Sequence, residues 1–247
     1  MLLKSKTAVV TGCNRGIGKR ILKTFSENGA TVFACARKID DEFRSFNNEL
    51  VKKFNNEIIP IQFDLNDENT IKEAATNIIK SNKPIDILVN NAATINTSIF
   101  QMTSIKKLKE IFEVNFFSQT IFTQYILKSM IKNKKGSIVY ISSSSALDGN
   151  AGRSAYSSTK AAVISQAKVL SRELGTHNIR VNSVAPGLTD SDMMKDNHQK
   201  EIINDVVSRT SLGRIGKPEE IANVVLLLSS DLTSYITGQT IRVDGGM

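Results

Sequence analysis

Residues 6–18 read KTAVVTGCNRGIG, a short β-branched apolar run followed at once by three closely spaced glycines. The run has the composition of a buried strand. From Ile17 onward, apolar residues recur at helical spacing until Asn28-Gly29, a typical helix end. Glycines between a strand and a helix let the backbone turn sharply and approach a phosphate at the positive helix N-terminus. The stretch therefore predicts a first strand–turn–helix unit that binds a dinucleotide.

The same alternation of strand and helix continues to the end of the chain. We predict strands at 6–11, 31–36, 58–63, 85–89, 137–141, 179–184 and 240–243, and later helices at about 40–55, 66–81, 104–133, 154–175 and 218–229. The pattern predicts one domain over residues 1–247, of the α/β class. We expect a Rossmann-type three-layer sandwich, in which a doubly wound parallel sheet of about seven strands has helices on both faces. Residues at about 188–216 are polar, methionine-bearing and irregular, and we expect them to form a lid over the site.

The composition is that of a globular protein, since 40% of the 247 residues are hydrophobic and 23% are charged. No stretch approaches the roughly 18 apolar residues that a membrane-spanning helix needs, and the N-terminus shows no leader with a cleavage site. Two cysteines are too few for a disulfide framework, and no Cys/His cluster has metal-ligand spacing. We therefore expect a cytoplasmic protein with no metal site and no membrane partner.

The net charge of +8 raises the question of a nucleic-acid partner. The basic residues are scattered, are not interleaved with aromatic residues, and form no nucleic-acid-binding motif. We therefore expect no nucleic-acid partner. Solvated lysine-rich faces explain the charge, which can still attract anionic substrates.

A second informative stretch, residues 142–160, reads SSSSALDGNAGRSAYSSTK. On a helix, Tyr156 and Lys160 lie on one face about one turn apart. An ammonium beside a phenol favours the phenolate and lowers the tyrosine pKa from its reference of about 10, which suits a proton donor or acceptor. Ser143 can hydrogen-bond the same substrate oxygen if the intervening loop folds back. The alternative is a chance pair on a solvated helix surface.

The end of the second strand bears on the choice of dinucleotide. The strand closes Ala36-Arg37-Lys38, and Arg15 lies in the glycine turn. Arginine accommodates a ribose 2′-phosphate, whereas NAD-selective sites usually place an acid there. The sequence therefore favours NADP(H), although Asp40-Asp41 follow closely. At the end of the third strand, Asp64 either accepts from the adenine amino group or caps the next helix, a role that Asn66 could also take.

These motifs together resemble the short-chain dehydrogenase/reductase family over essentially the whole chain. The resemblance is carried by Thr11–Gly18, Asn90-Asn91-Ala92-Ala93, Asn115, Ser143, Tyr156-x-x-x-Lys160 and Pro186-Gly187. Within the family, residues 180–193 and 229–247 are most similar to the 3-oxoacyl-[acyl-carrier-protein] reductases, a likeness shared with sugar and polyol reductases.

The resemblance implies four catalytic residues. Tyr156 is the general acid/base, Lys160 lowers its pKa and binds the nicotinamide ribose, Ser143 holds the substrate carbonyl, and Asn115 anchors a water that relays protons to Lys160. Two alternatives stay open: a neighbouring serine replaces Ser143, or Asn115 simply tolerates a helix bend. From the glycine turn, the second strand and the resemblance, the expected cofactor-binding residues are Gly12, Asn14, Arg15, Gly16, Ile17, Gly18, Arg37, Asp64, Leu65, Asn91, Ala92, Tyr156, Lys160, Pro186, Gly187 and Thr189.

Departures from the family pattern bear on the substrate. Ala93 replaces a glycine and adds a methyl group where backbone approaches the cofactor. Lys134 and His177 stand where carrier-protein reductases present two arginines to the acidic carrier, which weakens the case for a carrier-bound substrate. We hypothesise that Arg153, one helical turn before Tyr156, binds an anionic group of the substrate. The alternative is an ordinary solvated arginine.

We predict an NADP(H)-dependent oxidoreductase acting on CH-OH groups, which reduces a ketone to a secondary alcohol. The expected substrate is a 3-oxoacyl thioester, either a small molecule or carrier-bound. Alternatives are a dehydrogenase of keto-sugars or polyols and a catalytically silent dinucleotide sensor. By resemblance we expect a homotetramer or a dimer, joined through the helices of Asn115 and Tyr156 and the C-terminal strand.

Overall fold

The computed structural model describes residues 1–197 and 200–247, without the side chains of 195–197 and 200. In this part of the chain, seven parallel strands form one sheet in the order β3-β2-β1-β4-β5-β6-β7. The strands are β1 Thr7–Thr11, β2 Thr31–Ala36, β3 Ile58–Gln62, β4 Ile87–Asn90, β5 Gly136–Ile141, β6 Ile179–Pro186 and β7 Thr240–Val243. The predicted Rossmann-type fold and parallel sheet are confirmed, with strand boundaries shifted by at most two residues.

Helices cover both faces of this sheet. They are α1 Gly16–Glu27, α2 Asp41–Phe54, α3 Glu68–Lys80, α4 Ile105–Phe112, α5 Ser118–Asn133, α6 Ser145–Asp148, α7 Ser154–Glu173, α8 Asp192–Asn197, α9 Lys200–Arg209 and α10 Pro218–Ser229. Side chains of β1 alternate between the two layers, because Ala8 and Val10 join one apolar cluster and Val9 joins the other. The two clusters bury both faces, as a parallel sheet requires.

A single π-helical turn, Glu113–Phe117, separates α4 from α5 and accounts for the expected bend near Asn115. Such π-bulges are frequent at functional sites. Asn115 lies at its centre and is fully buried. Its carboxamide accepts from the backbone N of Thr94 and donates to the Thr94 carbonyl, both at 2.8 Å, and also donates to Thr159 Oγ1 at 3.2 Å. The bend therefore joins the segment after β4 to α7.

The segment expected to be an irregular lid contains the two helices α8 and α9. A parallel bridge between Thr189 and Gly216 closes its base. The expectation of irregular structure is therefore wrong. Ile203, Val206 and Val207 form an inward apolar stripe at helical spacing on α9, and the polar residues between them hide this pattern in the sequence. Residues 198 and 199 of this segment lie outside the described residues.

Among residues 1–197 and 200–247, no helix has the length and apolar character that crossing a membrane requires. The same described ranges hold no group of three or more His, Cys, Asp or Glu residues that could bind a metal ion. Cys13 and Cys35 are buried free thiols.

Candidate active site

A cleft of about 830 Å³ lies beyond the carboxyl ends of the strands, where this class of fold binds its ligands. All of the expected cofactor-binding residues line it, and so does Ser143. Asn115 does not, because it is buried behind the cleft. The topology thus brings together residues from widely separated parts of the sequence.

The glycine turn forms one end of the cleft. Gly16 has φ +53°, a backbone conformation that side chains rarely adopt. A Cβ on Gly18 would clash with the Gly12 carbonyl oxygen, so no larger residue fits there. Helix α1 begins at Gly16 and carries no side-chain cap, which leaves its first N–H groups available for an anion.

Thr11 and Asn91 brace this turn from β1 and β4. The Thr11 hydroxyl accepts from the backbone N of Asn91 at 2.9 Å and from that of Ala92 at 3.0 Å. The Asn91 amide donates to the carbonyls of Thr11 at 2.8 Å and Gly12 at 3.2 Å. The sequence predicted that Asn91 binds the cofactor, and it placed Thr11 in the first motif without assigning it a role. The signal for Thr11 was a hydroxyl at a strand end directly before the first glycine.

Basic residues line the cleft at the end of β2. Arg37 and Lys38 are exposed there, and Arg15 of the glycine turn lines the same cleft. The nearby Asp40 is the N-cap of α2, where its carboxylate accepts from the backbone N of Phe43 at 3.0 Å. This acid therefore has a structural role as a helix cap.

Asp64 lines the cleft after β3. One carboxylate oxygen accepts from the backbone N and the side-chain amide of Asn66, both at 2.9 Å. The N-cap of α3 is Asp67, which accepts from the backbone N of Asn69. The alternative in which Asp64 or Asn66 caps this helix is wrong, because the helix begins two residues later than expected.

Tyr156 and Lys160 lie one turn apart in α7, and both are buried. The Lys160 Nζ lies 5.7 Å from the centre of the Tyr156 ring and donates to the Ile141 carbonyl at 2.7 Å. The Ser142 hydroxyl donates to the Lys160 carbonyl at 2.8 Å. These bonds join the end of β5 to α7, and the burial excludes the alternative of a solvated pair.

Burial dominates the electrostatics of this pair. It raises the pKa of Tyr156 to about 12, against smaller lowering effects of a hydrogen bond with Ser143 and of the Arg153 charge. It lowers the pKa of Lys160 to about 8. In the protein without cofactor Lys160 makes no contribution to the Tyr156 pKa, because its Nζ is bonded to the Ile141 carbonyl, and the expected lowering of that pKa stays a prediction.

The four consecutive serines have different roles. Ser142 binds the Lys160 carbonyl, and the backbone N of Ser144 donates to the Pro186 carbonyl at 2.8 Å. Ser143 lines the cleft together with Tyr156 and contributes a lowering of the Tyr156 pKa. Its hydroxyl oxygen is 2.9 Å from the Ser145 hydroxyl and accepts from the Ser145 backbone N at 3.2 Å. The loop folds back as the spacing predicted, and Ser145 adds a second hydroxyl to the cleft wall.

Arg153 immediately precedes α7 and lines the cleft on the side of Tyr156. Its side chain is only 7% exposed, so the alternative of an ordinary solvated arginine is wrong. Burial lowers the pKa of Arg153, and the nearby Tyr156 opposes that effect. A buried cation at the positive end of a helix costs stability twice, by desolvation and by the helix dipole.

Comparisons with known proteins agree with this geometry. The family model described as enoyl-(acyl carrier protein) reductase matches residues 12–247. The 3-oxoacyl-[acyl-carrier-protein] reductase FabG of Aquifex aeolicus is 38% identical over 99% of this chain and 98% of its own length. That of Thermotoga maritima is 36% identical over 100% of this chain and 99% of its own.

A solved structure titled short chain dehydrogenase/reductase family protein superposes with a TM-score of 0.87 at 30% identity, covering 100% of this chain and 98% of that one. Fold, site and full-length similarity agree. The chain belongs to the short-chain dehydrogenase/reductase family, NAD(P)-dependent oxidoreductases that act on CH-OH groups.

Proposed function

We propose that this protein uses NADPH to reduce a ketone to a secondary alcohol, and that its substrate is a 3-oxoacyl thioester. One observation carries the proposal: a buried Tyr156, one turn from Lys160, faces the same cleft as Ser143 and the glycine turn. The chain is also similar, over its full length, to proteins named 3-oxoacyl-[acyl-carrier-protein] reductase.

The residues of the cleft fit a dinucleotide. The backbone packs closely at Gly18 and the start of α1 has no side-chain cap, two features that suit a pyrophosphate. The cleft extends from the end of β2 to α7. NADP is favoured over NAD because Arg15 and Arg37 suit a 2′-phosphate while Asp40 already caps α2. When bound, the cofactor supplies the hydride, which is chemistry that no side chain provides.

The protein's own part in the proposed reaction is to handle a proton. With a pKa near 12, the Tyr156 hydroxyl stays protonated at neutral pH and is ready to protonate the carbonyl oxygen. Ser143 would donate a hydrogen bond to the same oxygen, and Lys160 would hold the cofactor ribose. Asn115 supports α7 through Thr159. Both side-chain N–H groups of Asn115 are already bonded, so neither is available to donate to a relay water.

The substrate assignment is tested by assaying NADPH oxidation with acetoacetyl thioester, crotonyl thioester and a panel of keto-sugars. We expect the 3-oxoacyl thioester to have the highest kcat/KM. Faster turnover of the enoyl thioester or of a keto-sugar would overturn the substrate class. Tyr156→Phe should lower kcat by about 10²- to 10⁴-fold with unchanged cofactor affinity. No turnover of any carbonyl by the wild type would favour the dinucleotide sensor.

For assembly we propose a homotetramer or a dimer. Phe117 beside α5 and Val169 on α7 are each about half exposed although apolar, which suits a contact between copies. A single-chain mass by light scattering at micromolar concentration would contradict this. We also propose a cytoplasmic location, because Cys13 and Cys35 remain free thiols, as reducing compartments maintain them.

A further inference from the structure

The Ser143–Ser145 contact supports an inference about how the proton of Ser143 is directed. A serine hydroxyl has one proton to donate and two lone pairs that accept. The backbone N of Ser145 donates to Ser143 Oγ at 3.2 Å and occupies one lone pair. The two hydroxyl oxygens lie 2.9 Å apart, and either of them can be the donor in that bond.

The two possible directions have different consequences for the active site. If Ser143 donates to Ser145, its only proton points away from Tyr156. If Ser145 donates to Ser143, both lone pairs of Ser143 are filled. The Ser143 proton can then serve only another acceptor, and the cleft that Ser143 shares with Tyr156 offers the phenol oxygen and the oxygen of a bound substrate. A negative charge developing on either oxygen favours this second direction.

We propose that Ser145 is a positioning residue, which fills the last lone pair of Ser143 and so directs the Ser143 proton toward the reacting oxygen. The inference rests on the proposed reduction for its kinetic consequence, but the hydrogen-bond direction itself is a property of the protein. A hydrogen bond donated by Ser143 to the phenol oxygen would lower the pKa of Tyr156, which is the direction of the contribution that Ser143 makes there.

The backbone holds Ser145 firmly enough for this role. Ser145 is 6% exposed, and the backbone N of Ser144 beside it is bonded to Pro186 of β6. At the other end of α6, both carboxylate oxygens of Asp148 accept from Arg242 of β7, at 2.8 and 2.7 Å. Two strands therefore fix the short helix that begins with Ser145.

A double-mutant cycle of Ser143→Ala and Ser145→Ala tests the proposal through turnover. Removal of one hydrogen bond should lower kcat about three- to ten-fold in Ser145→Ala, with cofactor affinity unchanged. In the Ser143→Ala background the same change should have no further effect, because Ser145 acts only through Ser143. Ser145→Thr keeps the hydroxyl and should restore turnover.

Ser157→Ala is the matched control. Its hydroxyl is next to Tyr156 in sequence, lies outside the cleft and has no hydrogen bond within the described residues.

A second readout needs neither substrate nor cofactor. The ¹³Cζ NMR signal of Tyr156, assigned by its loss in Tyr156→Phe, should titrate at a pH several tenths of a unit higher in Ser145→Ala than in the wild type. Additive kinetic effects of the two serines, or an unchanged titration, would overturn the proposal even if ketone reduction is confirmed. If no ketone is reduced but the titration shifts, the proposed function fails and the hydrogen-bond assignment stands.

Discussion

Arg37 shows how far one residue at a strand end can be interpreted from sequence. Its place after β2 follows from the strand pattern, and its exposure on the cleft wall agrees with that prediction. The sequence could not show that Asp40 is committed to capping α2, because a cap depends on where the helix begins. The structure therefore gives Asp40 a role in the helix, and the 2′-phosphate site remains a prediction.

We predict that Arg37→Asp reverses part of the cofactor preference. A carboxylate repels the 2′-phosphate of NADPH and accepts from the 2′-hydroxyl of NADH. The kcat/KM for NADPH should fall at least about ten-fold, which corresponds to loss of one charge-assisted bond, while that for NADH should not fall. Steady-state kinetics with both cofactors measure this. Lys52→Asp, an exposed charge reversal in α2, is the control and should change neither value.

The burial of Arg153 decides between the two interpretations that its sequence position allows. From the sequence, Arg153 is either an ordinary solvated arginine or a residue that binds an anionic group of the substrate. Burial in the cleft wall excludes the first. The second remains a prediction, supported by the combined positive charge of the guanidinium and the start of α7.

Arg153→Ala should raise the KM of a ketone that carries a carboxylate, such as acetoacetate, by about ten-fold or more, the size expected for a lost charged hydrogen bond. The KM of a neutral ketone should change much less. Arg172→Ala on the exposed side of α7 is the matched control. Equal KM changes for anionic and neutral ketones would show that Arg153 does not select for charge.

At the scale of elements, apolar periodicity predicted the long helices and strands well and their ends less well. Helix α10 agrees with the predicted residues, since a proline starts it and a dense apolar stripe defines it. Helix α3 begins two residues later than predicted. Asp64, Asn66 and Asp67 are all residue types that cap helices, and only the backbone geometry shows that Asp67 is the cap. The π-turn at Asn115 was expected only as a bend. Its register depends on the bonds to Thr94 and Thr159, which are distant in sequence.

Helix α2 carries a polar residue on its inner face. Phe43, Asn47 and Leu50 follow at helical spacing and are all buried. Neither amide atom of Asn47 has a hydrogen-bond partner within the described residues, and its neighbours Phe43 and Leu50 belong to an apolar cluster. Spacing alone places Asn47 inward, but the absence of a partner is visible only in the structure. A buried unbonded amide lowers stability.

We therefore predict that Asn47→Leu raises the free energy of unfolding by about 1–2 kcal/mol, since it removes an unsatisfied amide and adds apolar burial. Urea denaturation at pH 7 followed by circular dichroism measures the change. Asn48→Leu, at the exposed neighbouring position of the same helix, should alter stability by less than about 0.5 kcal/mol. A destabilised Asn47→Leu protein would indicate that the amide contributes a bond of its own.

At the scale of the whole molecule, the order of the strands determines the site. From β1 the strand order runs outward to β3 on one side and from β4 to β7 on the other, so β1 and β4 are neighbours at the point where the order changes. The glycine turn, Asn91 and the turn at Ser142–Ser145 follow β1, β4 and β5, which are adjacent there. Alternation of elements in the sequence predicts this meeting place. It does not predict that the protein encloses the tyrosine and the lysine so completely that burial controls both pKa values.

The buried Lys160 should make the stability of the whole fold depend on pH. Its pKa falls from 10.5 to about 8 on folding, so the unfolded chain binds more protons between these values. Stability contributed by this group therefore rises as the pH increases from about 8 to 10.5. Below pH 8 the lysine is charged in both states, and the full cost of burying the charge, about 3 kcal/mol, is present.

Replacing this amine by an apolar side chain of similar length should remove that dependence. We predict that the unfolding free energy of Lys160→Met, relative to that of the wild type, is highest at pH 7 and declines toward pH 10. Loss of the bond to the Ile141 carbonyl lowers the stability of the variant by the same amount at every pH. Urea denaturation at pH 7, 8, 9 and 10 gives the difference directly, and titrations shared by both proteins cancel. Lys168→Met on the exposed face of α7 is the control and should show no trend. A difference that stays constant with pH would mean that Lys160 keeps its ordinary pKa and that hydration reaches the buried end of the cleft.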